Sequence, residues 1–88
     1  MVELNHNVVS FNADTTIKGD HGVVVNVYVS KTGSSGSKCV FKNGGSSGTE
    51  EFTIFSENQG TYVGINRRFE DGIYADITGN AEYTVVFK

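Results

Sequence analysis

The chain has no proline and no tryptophan, one cysteine, one methionine and, among 88 residues, a single leucine, Leu4. Each scarcity closes a route. Without proline, turns must come from residues that tolerate positive φ, and eleven glycines and eight asparagines supply them. The lone Cys39 excludes an internal disulfide, which in so small a chain fits synthesis in a reducing compartment or a fold stabilised by assembly. Strong helix formers are nowhere clustered, which argues against helix. No stretch approaches the roughly 18 consecutive apolar residues of a membrane-crossing helix, and no membrane partner is expected. Residues 1–7 carry neither a basic region nor a long apolar run, unlike a secretory signal. The one adjacent basic pair, Arg67 and Arg68, is soon followed by Glu70 and Asp71, and the net charge is −3. Nucleic-acid binding needs clustered cations that release counterions, so no nucleic-acid partner is expected.

What is present is β-forming. Twelve valines, five isoleucines and six phenylalanines suit a pleated, half-buried surface. Val8-Val9-Ser10-Phe11 reads as a short strand after a weakly alternating edge strand or arm at residues 1–7, and Ile17-Lys18 as a further short pairing. Residues 22–30 form the strongest strand, with Val23, Val25, Val27 and Val29 expected on one face and Val24, Asn26, Tyr28 and Ser30 on the other. Two Gly-Ser-Ser-Gly loops, at residues 33–36 and 45–48, flank the short strand Cys39-Val40-Phe41-Lys42 and are expected to be flexible surface loops, not a structural repeat. Residues 50–56 form another strand, with Phe52 and Ile54 facing one way and Phe55 the other. Residues 61–66 form a strand with Val63 and Ile65 inward and Tyr62 outward, residues 67–71 are irregular, and Phe69 closes the core. Many short strands between Gly/Asn/Ser turns predict a single all-β domain over residues 1–88, a small antiparallel β-sandwich or barrel of six to eight strands with essentially no helix.

The clearest local signal is at residues 72–88, two alternating runs around Gly79-Asn80, which predict a hairpin. A two-residue loop leaves both faces half polar. A three-residue loop, Gly79-Asn80-Ala81, pairs Ile77 with Tyr83, Ala75 with Val85 and Ile73 with Phe87, and makes one face wholly apolar. A buried face specifies register strongly, so the three-residue loop is expected. The opposite face is then polar except at Tyr74 and Val86.

Chemistry-bearing residues are sparse. Cys39 with His21 or His6 and Asp20 contains the residue types of a thiol hydrolase, but Cys39 opens an apolar run and reads as core. The same residues lack metal-ligand spacing, and Asn12/Asp14, Glu70/Asp71 and Asp76/Asn80 are too sparse for calcium. Adjacent acids such as Glu50-Glu51 point to opposite faces of a strand, unlike a glycosidase pair. No catalytic residue, metal or cofactor is expected. The apolar strand Val23–Val29, with outward Tyr28, Tyr62, Tyr74 and Val86, exceeds what one thin sandwich must cover and predicts a protein-interaction surface. The alternative is a small lectin presenting Tyr62, Asn58 and Asp76 to a glycan, and a third reading is an inhibitor using the acidic surface.

From residue 22 onward, the layout adds a resemblance. A valine-rich strand enters a Gly/Ser loop, a strand ends at Gly60-Thr61-Tyr62, and the chain closes on Ile73-Tyr-Ala-Asp-Ile-Thr-Gly-Asn-Ala-Glu-Tyr-Thr-Val-Val-Phe87. This pattern, over about three-quarters of the chain, resembles the small all-β decoration and fibre-associated proteins of tailed-bacteriophage virions. The resemblance implies a homo-oligomer bound to capsid or tail protein and a location in the virion; without it, the chain is expected in the cytoplasm. It transfers no functional residue. The expectation is a non-enzymatic structural protein whose partners are protein subunits, copies of itself or capsid protein.

Overall fold

A computed structural model describes residues 7–56 and 60–88. These residues form nine strands and no helix: β1 (Asn7–Phe11), β2 (Thr15–Lys18), β3 (Gly22–Lys31), β4 (Lys38–Asn43), β5 (Thr49–Phe55), β6 (Thr61–Tyr62), β7 (Arg67–Phe69), β8 (Ile73–Thr78) and β9 (Glu82–Phe87). They make two antiparallel sheets. The front sheet runs β1-β9-β3-β6, with β7 also on β3; the back sheet runs β2-β8-β4-β5. The thinnest dimension, 17 Å, is that of two sheets packed about 10 Å apart. The fold is thus the expected β-sandwich, with nine strands in place of six to eight. The edge strand or arm expected at residues 1–7 lies outside the described residues except for Asn7, which opens β1.

The expected terminal hairpin does not form. β8 pairs with β2 and β4 in the back sheet, whereas β9 pairs with β1 and β3 in the front sheet. Residues 79–81 therefore carry the chain across the sandwich. The predicted apolar set survives this change. Ile73, Ala75, Tyr83 and Val85 are buried, and Ile77 and Phe87 pack against the core. Two strands that face each other across a sandwich bury the same alternate residues as a hairpin with one apolar face, so alternation identifies the set without identifying the hydrogen-bonding partner.

β3 differs from strict alternation in an instructive way. Its register on β9 shifts between Val24 and Asn26, so Val24 opposes Phe87 and Asn26 opposes Val86. Val25 is the extra residue of a β-bulge, and the inward set switches from Gly22 and Val24 to Val27 and Val29. Val24 is buried, not Val23 or Val25. An unbroken valine run is what a strand needs when its buried face changes parity midway.

Two more expectations shift. The strand at 61–66 stops after Tyr62, because Gly64 (φ 69°) and Asn66 (φ 48°) take left-handed backbone, and Val63 is 67 % exposed, not inward. The irregular stretch at 67–71 instead contains β7, whose Phe69 is buried as expected. Phe69 also meets Phe52 edge-on across the two sheets at 6.1 Å, and Phe52 stacks on Phe41 at 4.8 Å.

The two Gly/Ser loops have different roles. The first closes a turn in which Ser37 N donates to Ser34 O, and it is built into the domain. Gly33 N donates to Ser56 O, Ser34 N donates to Asn80 Oδ1, and Ser37 is buried beside Gly79. A Cβ at Gly79, which has φ 93°, would overlap Ser37. The second loop joins β4 to β5 through Gly48 N donating to Gly45 O. The turns fall on different residues of the shared motif, in keeping with two unrelated loops.

Candidate interaction surface

Inward residues of β1, β9 and β3 fix which residues point out from the front sheet. Val9 and Phe11 pack against the core, so Val8 and Ser10 face out. Val85 and Tyr83 are buried, so Val86, Thr84 and Glu82 face out. After the bulge, Asn26 and Tyr28 face out. The registers then set two rows across the sheet. Val8 opposes Val86, which opposes Asn26; Ser10 opposes Thr84, which opposes Tyr28, which opposes Thr61. Cross-strand neighbours of this kind lie about 4.5–5.5 Å apart at Cβ. None of these seven residues carries a charge.

The loop after β6 is pinned to this face. Gly64 N donates to Asn26 Oδ1 at 2.9 Å, and Ile65 N donates to the Val25 carbonyl at the bulge at 2.9 Å. Val63, next to that anchor, is 67 % exposed, and Val8, at the far end of the row, is 65 % exposed. The front face therefore has an uncharged centre, with exposed Val8 at one end of the row and the loop bearing exposed Val63 pinned to Asn26 at the other. Ser10 Oγ and Thr84 Oγ1 bond at 2.8 Å, and Asn26 Nδ2 donates to Tyr28 Oη at 3.4 Å, so the polar members partly satisfy one another.

The back sheet has a different outer face. Tyr74 opposes Thr16 and Lys42, Asp76 opposes Val40, and Thr78 opposes Lys38. Lys42 Nζ pairs with Asp76 Oδ2 at 2.8 Å and donates to Ser46 O at 3.1 Å. The hydrogen bond to Asp76 raises the Lys42 ammonium above the ordinary lysine pKa. Phe55 sits at the edge of this face opposite Lys38 and is 61 % exposed.

The sequence-predicted residues consequently do not form one patch. Tyr28 and Val86 share the front face. Tyr74 is on the outer face of the other sheet, although alternation in a single hairpin had placed it beside Val86. Tyr62 sits at the front-sheet edge opposite Val27, with its ring over Gly60. Of the lectin trio, Tyr62 and Asp76 belong to different sheets, and Asn58 lies outside the described residues. Val8 and Val63 escaped the sequence reading. Val8 was detectable, since inward Val9 and Phe11 force it outward; Val63 was not, because its exposure depends on the break at Gly64.

Cys39 is fully buried in β4, and burial, with the Asp76 and Asp14 carboxylates behind it, pushes its thiol far above the ordinary range. Such a thiol supplies no thiolate for nucleophilic attack near neutral pH. His21 is exposed in the turn before β3, and His6 lies outside the described residues. Among the described residues, no cluster of three or more metal-ligating side chains and no cavity is found. No helix there is long and apolar enough to cross a membrane. The chain matches no protein-family model, no curated protein and no solved structure.

Proposed function

We propose that this domain is a non-enzymatic assembly protein, a virion accessory subunit of the decoration or cement kind, that associates with copies of itself and with capsid protein through the front face of its sandwich. The observation that carries this reading is the uncharged row Val8–Val86–Asn26 flanked by exposed Val63. Depletion of charge at the centre, with aromatic and aliphatic residues there, distinguishes the cores of protein interfaces from ordinary surface. The phage-virion assignment rests on the sequence layout from residue 22 onward; the face alone supports protein association. Association would stabilise the small fold by mass action.

Sedimentation of the purified protein tests it, alone and mixed with the proteins encoded beside it. The unsubstituted chain is expected to self-associate. Val86→Lys places a charge at the centre of the front row and is expected to give a folded monomer. Tyr74→Lys, on the back face, is expected to leave association intact. An unsubstituted chain that stays monomeric and binds no neighbouring gene product, or a Val86→Lys variant that assembles normally, contradicts the reading.

A further inference from the structure

The sequence contains one Asn-Gly step, Asn43-Gly44, and one Asp-Gly step, Asp71-Gly72. These are the dipeptides in which a glycine amide, with no side chain to hinder it, most readily attacks the preceding side-chain carbonyl. They lie far apart in the chain, and the fold binds them to each other. Asn43 ends β4 at the base of the β4–β5 hairpin, and Asp71 and Gly72 form the turn between β7 and β8. The Asp71 amide donates to Asn43 Oδ1 at 2.9 Å, Asn43 Nδ2 donates to Asp71 Oδ2 at 3.4 Å, and the Gly44 amide donates to Gly72 O at 3.0 Å. Both glycines have positive φ, 106° and 126°.

Deamidation at such a step needs two groups of one residue pair to meet. The Gly44 nitrogen attacks Asn43 Cγ and loses its proton, and the side-chain nitrogen leaves as ammonia. Water then opens the resulting succinimide at either carbonyl, giving aspartate or isoaspartate. In the folded domain the nucleophile is turned to Gly72 O and the electrophile to Asp71, so each is held by the facing turn.

We propose that Asn43 is a latent deamidation site, silenced by its latch to Asp71 and Gly72 and reactive only when the turn between β7 and β8 releases. The change is one-way. Aspartate at position 43 would set its carboxylate against that of Asp71. Isoaspartate would add a methylene to the backbone where β4 pairs with both Ile73 and Thr49. Either product prevents the latch from closing as before, so a chain that has opened there is permanently marked.

The test is incubation at mildly alkaline pH, with peptide mapping of position 43 beside hydrogen exchange of the Gly44 amide. In the folded protein, conversion is expected at least about tenfold slower than in the urea-unfolded chain, as for a latch open less than one-tenth of the time. The slowing should match the Gly44 protection factor within a few-fold, because both processes need the same opening. In Gly72→Ala, which strains a positive-φ position and displaces the acceptor, protection and amide lifetime should fall together. Equal conversion rates in folded and unfolded chains overturn the proposal. So does loss of Gly44 protection in Gly72→Ala without faster conversion of Asn43.

Discussion

Ser56 and Tyr83 meet hydroxyl to hydroxyl inside the domain, both fully buried. A hydroxyl buried without a partner costs roughly 1–3 kcal/mol, whereas removing both partners together is cheaper. Tyr83→Phe should therefore destabilise by about 1–2 kcal/mol, and the Ser56→Ala, Tyr83→Phe pair by less than the sum of the two single changes. Urea unfolding of the three variants measures the cycle. Cys39 makes a pH-dependent contribution of definite sign. Its folded pKa is raised, while the unfolded thiol titrates near about 8.5. Protonated in both states below that pH, it has no effect there; as pH rises past about 8.5 the unfolded chain loses the proton first, and stability falls. Cys39→Ala should flatten the decline between about pH 8.5 and 10, read as unfolding midpoint against pH. Burial also raises the Tyr83 phenol, so a second loss sets in above the ordinary tyrosine range.

At the level of elements, the bulge in β3 is the device that organises the front face. It brings Val27 and Val29 into the core behind Val24, turns Asn26 outward, and presents the Val25 carbonyl and the Asn26 side chain as two acceptors for the loop after β6. The parity switch has a direct energetic signature. Val24→Ser should cost about 3 kcal/mol, since a fully buried valine and its packing are lost. Val25→Ser should cost less than about 1 kcal/mol. Strict alternation from Val23 predicts the reverse order, so thermal or urea unfolding of the two variants decides between the patterns. The edges differ too. On one side of the sandwich Arg67 of β7 ion-pairs with Glu51 of β5, joining the sheets across their edge. On the other, Asp14 Oδ1 accepts from Ile77 N, a side chain serving a strand amide just before the start of β2.

On the scale of the whole molecule, the sandwich separates what a single hairpin would have kept together. Tyr74 and Val86 occupy opposite outer faces because β8 and β9 belong to different sheets. This is why the two lysine substitutions at those positions are expected to differ, and why a sedimentation experiment on both is more informative than either alone. The back face carries Lys38, Lys42 and Asp76, and the centre of the front face carries no charge; only the front has the composition of an interface core. All-β class and the approximate positions of most strands could be read from valine-rich alternation and glycine-rich turns. Burial of Ile73, Ala75, Tyr83, Val85 and Phe69 was legible for the same reason. The candidate surface was only half legible: Tyr28 and Val86 could be named from parity, but their adjacency needed the β3–β9 register.

In β8 and β9 the sequence by itself determined which side chains avoid water, because alternation is a local property that an unbroken strand carries whatever its partner; in β3 and after Tyr62 a bulge and left-handed backbone overrode it. The sequence also determined that turns would fall at Gly79-Asn80 and at the two Gly/Ser loops, where residues tolerant of turn backbone are concentrated. Only the tertiary structure decided which strands pair. The inward set of β8 and β9 is the same for a hairpin and for two facing sheets, and the choice lies in long-range hydrogen bonds to β2, β4, β1 and β3. The same long-range pairing decided that Val8 lies against Val86, that Asn26 anchors the loop bearing Val63, and that Asn43 meets Asp71. Such contacts depend on the register between distant segments, and no local pattern of residues encodes it.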